Sequence, residues 1–310
     1  MRIAIIGQQE FGKAVLEKFL DRGDTVAGVF VAPEKPGARP DPLRVFAEEK
    51  GVKIFQFPSY RKADAQEALR ALNVDLGVMA YVLLFAPQDF IRIPRHGTIQ
   101  YHPSLLPRHR GPSSINWPMI QGEARTGLTI FRPTDGLDEG PIILQKEVEI
   151  GPNETLGEVY FNKLFPMGVE AMLEAADLVV AGRHKEIVQD ESQATYEGWC
   201  REAEAHIEWS RPVEHIYNLI RGCNPAPGAW TMLNGAKLQI FDCRKIRFRR
   251  FADVKGGIGE IAEVGEQSFR ITAHGGQIEV LRARLADGKK IAGGELAQTA
   301  QLAAGTKLGT

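Results

Sequence analysis

Cysteine is scarce in this chain, with only three cysteines among 310 residues. Their number is odd and no two of them form a C-x-x-C pair; they are Cys200, Cys223 and Cys243. This pattern argues against a disulfide framework and against a zinc site. A reducing compartment fits such a pattern, and we therefore expect a cytoplasmic protein that holds no metal.

Long apolar runs and an excess of one charge are also missing. No stretch approaches the ~18 apolar residues that span a bilayer, and the short run that opens the chain stops at Gly7, unlike a secretory signal. The net charge is −1. The molecule as a whole therefore has no strong electrostatic attraction to nucleic acid or to a membrane surface.

The first half of the chain alternates short apolar runs with amphipathic stretches. The apolar runs predict strands at Arg2–Ile6, Thr25–Val31, Ile54–Gln56, Leu76–Met79 and Thr98–Gln100. Helical patterns separate several of them, at Phe11–Leu20, Asp41–Lys50 and Ala63–Leu72. Strands that alternate with helices indicate βαβ units, so we predict an α/β domain with a Rossmann-like, mostly parallel sheet.

The remainder of the chain changes character. Two more strands are expected at Leu128–Phe131 and Ile142–Glu149, followed by a long helix over Thr155–Ala181 that breaks near Pro166. The polar, irregular stretch Gly182–Glu197 looks like the approach to a linker. From residue 237 onward, short β-branched and aromatic runs are spaced by Gly and Asn-Gly, which is typical of a small β-barrel of the OB-like kind.

We therefore predict two domains, one over residues 1–203 and a smaller one over residues 204–310. The second has 15 Lys and Arg residues against 11 Asp and Glu residues. Its basic residues include a local cluster: Arg244, Lys245, Arg247, Arg249 and Arg250.

Two glycines after the first strand suggest a dinucleotide-binding loop, but the motif is incomplete. The fingerprint G-x-G-x-x-G needs its second glycine so that the backbone can approach a pyrophosphate. Gln9 occupies that position between Gly7 and Gly12, and no acidic residue closes the second strand. We interpret the glycines as a tight β-to-α turn.

The most informative segment is GTIQYHPSLLPRHRG, residues 97–111. It places His102 just after an apolar strand, and ligands of open α/β sheets bind at the carboxyl ends of strands. Histidine exchanges protons near neutral pH. Taken alone, a histidine beside a strand is more often structural.

A second segment, TDGLDEG at residues 134–140, gathers carboxylates between glycines. Asp and Gly are common turn residues, so a polar turn is the simplest interpretation. A metal-binding loop is another, but no other ligand cluster supports it.

Together the two segments resemble the folate-dependent formyltransferase family, in which the motifs H-x-SLLP and GLDxG recur. Further matches favour the branch of the amino-terminal hydrolase domain of 10-formyltetrahydrofolate dehydrogenase: IIGQQEFG, INW, ILQKE, ATYEG and IRG…PGAW. The resemblance implies that residues 1–203 are the catalytic domain and that His102 and Asp138 are catalytic. It also implies an Asn at position 100, where this chain has Gln100.

Three departures accompany the resemblance. Gln100 keeps an amide but adds a methylene, so it either donates to the developing oxyanion or caps the strand. Pro141 stands where the family usually has a second Asp. Val82 stands where the dehydrogenase branch has a Cys near the pocket, which removes thiol chemistry.

The resemblance implies a reaction as well. We expect removal of the N10 formyl group of 10-formyltetrahydrofolate, to water or a small acceptor, with release of tetrahydrofolate. The loop AYVLLFAP would contact the pterin through Leu84, Phe85 and Ala86, and Asp138 would also contact the folate. Arg108 and Arg110 are candidates for the glutamate tail or an acceptor phosphate, or they form a solvated loop.

Two other functions are kept as alternatives. A methionyl-tRNA formyltransferase would need a basic surface, for which the cluster at residues 244–250 is the only support. A folate-binding protein without turnover is favoured only by Gln100. The dehydrogenase activity of the larger relatives needs a separate domain that does not fit in 310 residues, so we expect no use of NADP by this chain.

Overall fold

The computed structural model describes residues 1–309, the side chain of Phe251 excepted. The chain forms two compact units, and it passes between them several times. Unit 1 contains residues 1–111, 127–148 and 161–196. Unit 2 contains residues 112–126, 149–160 and 197 onward. The predicted boundary after residue 203 stays a prediction.

A seven-stranded sheet runs through unit 1 in the order β3-β2-β1-β4-β5-β6-β7. Its first five strands are parallel, and β6 is antiparallel to β5. The mostly parallel α/β sheet is therefore confirmed. The strands are β1 (Arg2–Gly7), β2 (Thr25–Phe30), β3 (Ile54–Phe55), β4 (Leu76–Ala80), β5 (Thr98–His102), β6 (Arg125–Phe131) and β7 (Ile142–Glu149).

Helices cover both faces of this sheet, which is why β4 is buried along its whole length. The helices of unit 1 are α1 (Gln9–Asp21), α2 (Pro42–Glu49), α3 (Ala63–Ala71), α4 (Gln88–Ile91) and α7 (Phe165–Val180). One face packs against α1, α2 and α7, where Tyr101 stacks on Phe11 with ring centroids 4.3 Å apart. The other face packs against α3 and α4.

The predicted break near Pro166 is present, because one π turn (Tyr160–Leu164) separates α6 (Leu156–Val159) from α7. Pro166 lies in the first turn of α7, where a missing amide hydrogen costs no helical hydrogen bond. Among the described residues, no helix combines the length and apolar character needed to cross a bilayer.

Unit 2 is built on a separate antiparallel sheet in the order β10-β11-β12-β9-β8, with β13 beside β12. Its strands are β8 (Ala229–Leu233), β9 (Ala236–Arg247), β10 (Ile261–Val264), β11 (Phe269–Ala273), β12 (Gly276–Leu285) and β13 (Ile291–Ala292). Its remaining helices are α5 (Asn116–Ile120), α8 (Val213–Gly222) and α9 (Gly293–Thr299), and a short 3-10 turn occurs at Phe251–Asp253. Another 3-10 turn, Glu191–Gln193, belongs to unit 1. The predicted C-terminal β domain is confirmed as this sheet.

A tight turn joins β1 to α1 at the carboxyl edge of the sheet. A Cβ atom on Gly7 would lie 1.9 Å from the carbonyl oxygen of Ala80, so only glycine fits there. The first amide of α1, on Gln9, donates to both carboxylate oxygens of Asp41 at 3.1 and 3.0 Å. A carboxylate of the chain itself therefore fills the anion-binding position at this helix terminus.

Candidate active site

A buried histidine and a buried carboxylate meet at the carboxyl end of β5. His102 is the last residue of β5, and Asp138 lies in the loop between β6 and β7. The Nδ1 atom of His102 is 3.5 Å from Oδ2 of Asp138. The two residues are only 5% and 8% exposed. The structure thus brings together the two residues that the sequence motifs singled out.

A hydrogen bond on the far side of the ring assigns the proton of His102. Nε2 lies 2.8 Å from the carbonyl oxygen of His109. A carbonyl only accepts hydrogen bonds, so Nε2 carries the hydrogen. Nδ1 is then the ring atom left to face Asp138, and its contact with the carboxylate is attractive only when the pair holds one further proton. One proton between Nδ1 and Oδ2 would therefore join the two side chains.

The loop that carries Asp138 has an unusual backbone. Asp138 has a φ of 56°, in the left-handed region that non-glycine residues adopt only at a cost. Its Oδ2 atom accepts the amide hydrogen of Gly111 at 2.8 Å. The Nε2 atom of Gln189 donates to the carbonyl oxygens of Asp138 and Gly140, at 2.8 and 2.7 Å. Hydrogen bonds thus fix both the backbone and the carboxylate.

Gln100 shares a face of β5 with His102, because side chains two residues apart on a strand point the same way. The residue is half-buried and pairs in register with Met79 of β4 and Phe131 of β6. Its side-chain amide makes no hydrogen bond to any part of the chain between residues 1 and 309. The amide is therefore available to a bound molecule.

The loop after β4 presents apolar side chains in alternation. Leu84 is half-buried and Ala86 is buried, whereas Phe85 is 47% exposed. Tyr81 and Leu83 are also exposed, and the guanidinium of Arg61 lies over the ring of Phe85, 4.8 Å from its centroid. Adjacent exposed apolar residues on one short loop are typical of a surface that receives a flat ligand.

The two arginines of the PRHRG segment have different environments. Arg108 is exposed. Arg110 has no exposed surface, and its guanidinium donates to Gln189, Glu191 and Tyr196. The hydrogen bond to Glu191 raises the pKa of Arg110 despite its burial. All donors of the Arg110 guanidinium are thus used within the protein. Its contact with an acceptor or a glutamate tail stays a prediction.

The carboxylates of the GLDEG loop are used within the protein as well. The hydroxyl of Tyr196 donates to Oε1 of Glu139 at 2.8 Å. Over residues 1–309, no three His, Cys, Asp or Glu side chains converge where they could hold a metal ion. Pro141 accepts the Arg132 amide hydrogen through its carbonyl oxygen, a role that needs no side chain.

Sequence reasoning missed Gln189, Glu191 and Tyr196 as members of this site. All three lie in the polar stretch that was interpreted as the approach to a linker. One signal was available, because Tyr196 belongs to ATYEG, a segment already noted among the family matches. Nothing in the sequence marks Gln189, whose partners are 51 and 79 residues away.

Comparison with protein families agrees with this geometry. Residues 1–176 match the family described as Formyl transferase, and residues 200–301 match its C-terminal domain. The chain belongs to the formyl transferase family. His102 and Asp138 both lie within the first of the two matched regions.

Relatives of this chain differ in length. The mitochondrial 10-formyltetrahydrofolate dehydrogenase of Mus musculus is 41% identical over 246 residues, which cover 78% of this chain but 26% of that protein. The chain thus spans about a quarter of the length of the dehydrogenases it matches. Methionyl-tRNA formyltransferase of Geotalea daltonii is 32% identical over 100% of this chain and 98% of its own.

The fold of this chain recurs in a solved structure. HypX from Aquifex aeolicus, crystallised with tetrahydrofolic acid, superposes with a TM-score of 0.68. The match covers 96% of this chain and 47% of that one, at 17% sequence identity. At this level of identity the likeness concerns the fold.

Proposed function

We propose that this chain removes the formyl group from N10 of 10-formyltetrahydrofolate, passes it to water or a small acceptor, and releases tetrahydrofolate. The observation that carries the proposal is the His102–Asp138 contact of 3.5 Å at the carboxyl end of β5. Family membership supports the donor, as do a dehydrogenase relative named for 10-formyltetrahydrofolate and a fold neighbour that binds tetrahydrofolic acid.

The reaction with water needs charge stabilisation and one proton transfer. Water adds to the formyl carbon while its proton passes to the Asp138 carboxylate, which gives a tetrahedral intermediate with charge on oxygen. Donors that face this oxygen supply most of the catalysis in such reactions. We assign these roles to the protonated ring of His102, which donates through Nδ1, and to the Gln100 amide. The C–N10 bond then breaks as the proton passes to N10, which yields formate and tetrahydrofolate.

The folate would lie on the loop after β4. Leu84, Phe85 and Ala86 offer backbone groups beside apolar surface, which suits a flat pterin with many hydrogen-bonding atoms. Asp138 borders the same end of the sheet and would contact the folate near N10. Arg108 is exposed and remains a candidate for the negatively charged glutamate tail.

Transfer to methionyl-tRNA is the second candidate, because the tRNA-acting relative matches this chain from end to end. The basic cluster at residues 244–250 gives this candidate less support than its sequence suggests. Glu214 pairs with two of its members, Lys245 and Arg247. Charges neutralised within the protein contribute less to phosphate binding.

A single assay separates these functions. Purified protein receives 10-formyltetrahydrofolate with water alone, with an amino sugar nucleotide or with methionyl-tRNA, and tetrahydrofolate release is followed. We expect release with water or the small amine, and loss of release in His102→Ala and Asp138→Ala. Formyl transfer only in the tRNA arm would establish the second candidate. Folate binding without release in any arm would indicate a non-catalytic binding protein.

Two further features belong to the proposal. The relatives named dehydrogenase are about four times as long as the matched region, and the removal of the formyl group that we propose here uses neither NADP nor a metal. All three cysteines are free thiols. This supports placing the reaction in the cytoplasm.

A further inference from the structure

We infer that Gln189, clamped by Arg110, is a positioning residue for the catalytic carboxylate of Asp138. The effect on turnover rests on the function proposed above. The effect on the Asp138 loop itself does not, because it concerns hydrogen bonds that form without substrate.

The amide of Gln189 is held in one orientation. Its Oε1 atom accepts from Nε and Nη2 of Arg110, at 3.1 and 2.8 Å. Its Nε2 group therefore points the other way, toward the carbonyl oxygens of Asp138 and Gly140. The side chain is only 5% exposed, so water does not readily replace these bonds. The guanidinium of Arg110 thus holds the Gln189 amide so that both Nε2 hydrogens point at the loop that carries Asp138.

The loop needs such support because its own geometry is costly. Asp138 has a φ of 56°, and an isolated non-glycine residue in this region is disfavoured by about 1 kcal/mol or more. Gly140 follows in a confined place, where a Cβ atom would lie 1.6 Å from the carbonyl oxygen of Arg132. Without Gln189, two carbonyl oxygens would lose their partner and the loop would be free to relax away from His102.

Arg110 also supports Glu139, the residue between Asp138 and Gly140. Its Nη1 group donates to the hydroxyl of Tyr196, and that hydroxyl donates to Glu139. Glu191 balances the charge of Arg110 by pairing with it at 2.6 Å. Residues 138, 139 and 140 are therefore each tied to one buried guanidinium. This explains why an arginine next to the site has no exposed surface.

A second Arg–Gln clamp elsewhere in the chain offers a matched control. In unit 2, Oε1 of Gln239 accepts from Nε and Nη2 of Arg284, and its Nε2 group donates to the carbonyl oxygen of Pro227 at 3.3 Å. Gln239 is 6% exposed, nearly the same as Gln189. It has no hydrogen bond to the loop that carries Asp138. Replacing Gln239 therefore measures how much Tm falls when an Arg–Gln clamp outside the Asp138 loop is lost.

The experiment compares Gln189→Leu with Gln239→Leu in the full chain. We measure Tm, kcat and KM for release of tetrahydrofolate, and the exchange rate of the Gly111 amide hydrogen, which is bonded to Asp138. We expect both variants to lose similar Tm. Only Gln189→Leu should lower kcat, by about 10- to 100-fold with little change in KM. Only this variant should also speed the exchange of the Gly111 amide.

Gln189→Glu refines the test because it preserves size and the pairing with Arg110. It replaces the donor that faces the two carbonyl oxygens with an acceptor, so we expect the same fall in kcat and the same faster exchange. Equal kcat and equal Gly111 exchange in the Gln189→Leu and Gln239→Leu variants would overturn the inference and leave Gln189 as a structural residue. If the wild-type protein releases no tetrahydrofolate, the proposed function fails, and Gly111 exchange still decides the role of Gln189.

Discussion

Oδ2 of Asp138 lies 3.5 Å from Nδ1 of His102 and 2.8 Å from the amide nitrogen of Gly111. One carboxylate oxygen thus faces both the imidazole ring and a fixed backbone donor. The hydrogen bond from the Gly111 amide holds this oxygen in place. Asp138 therefore has an orientation before any substrate arrives.

Replacing the Asp138 carboxylate tests its role most directly. Asp138→Asn keeps the size of the side chain but cannot accept a proton from water, so we expect kcat to fall by about 10²–10³. Binding of tetrahydrofolate, measured by calorimetry, should change little. Asp177→Asn is the control, since Asp177 lies on α7 and forms an exposed ion pair with Arg22, just after α1. Unchanged kcat in Asp138→Asn would contradict the assignment of Asp138 as the proton acceptor.

Gln100 gives a second prediction, on the oxyanion donor. Gln100→Leu removes the amide but keeps a similar volume, and we expect kcat to fall by about 10²-fold if the amide faces the developing charge. Gln100→Asn restores an amide at the position where the family has Asn, and should retain most of the activity. Equal rates in the Leu variant and the wild-type protein would show that Gln100 only completes the strand.

Gly140 gives a prediction about stability. A methyl group at this position would overlap the carbonyl oxygen of Arg132, so Gly140→Ala should destabilise the protein by about 1–3 kcal/mol. Thermal unfolding measures the effect as a lower Tm. Gly198→Ala is the matched control, because a Cβ atom there meets nothing within 4 Å. Equal Tm values for the two variants would mean that the loop after β6 yields to the added methyl.

The lowered pKa of Glu34 predicts how the stability of the fold depends on pH. Burial alone would raise its pKa, but hydrogen bonds from Gln56, the Asp41 amide and Arg44 lower it to about 2. A lowered pKa stabilises the fold above the ordinary value of 4.5 and loses this effect as pH falls toward 2. Glu34→Gln should therefore cost about 1 kcal/mol at pH 7, because solvent screens part of the interaction, and almost nothing near pH 2.

Urea unfolding of the wild-type and Glu34→Gln proteins at pH 7, 5 and 3 measures this difference. Glu48→Gln serves as the control, since Glu48 is an exposed partner of the same Arg44. A difference between Glu34→Gln and the wild-type protein that stays constant from pH 7 to pH 3 would rule out titration of Glu34 as its source.

The parallel strands could be predicted because each buried strand is itself a run of apolar residues. Runs such as Leu76–Met79 are apolar along their whole length, which a strand covered on both faces requires. The strand at Ile142–Glu149 was predicted with its observed bounds. The proximity of His102 and Asp138 could be predicted because two short motifs carry these residues, while their catalytic role stays a proposal.

The support of the catalytic pair could not be predicted in the same way. Gln189 lies in an irregular stretch without periodicity, and its function depends on residues 51 and 79 positions away. Arg110 carries a charge that suggested contact with substrate, but only the fold shows that its donors are used internally. Such long-range polar contacts leave no local pattern of spacing.

The position of Gln189 along the chain has a consequence for synthesis. Proteins emerge from the ribosome amino terminus first, so His102 and Asp138 emerge well before the glutamine that bonds to the Asp138 loop. A nascent chain that ends near residue 180 contains all seven strands of the unit 1 sheet, together with His102 and Asp138. It lacks the hydrogen bonds at 189–196. The residues that build this sheet are therefore synthesised before the residues that hold the Asp138 loop in place.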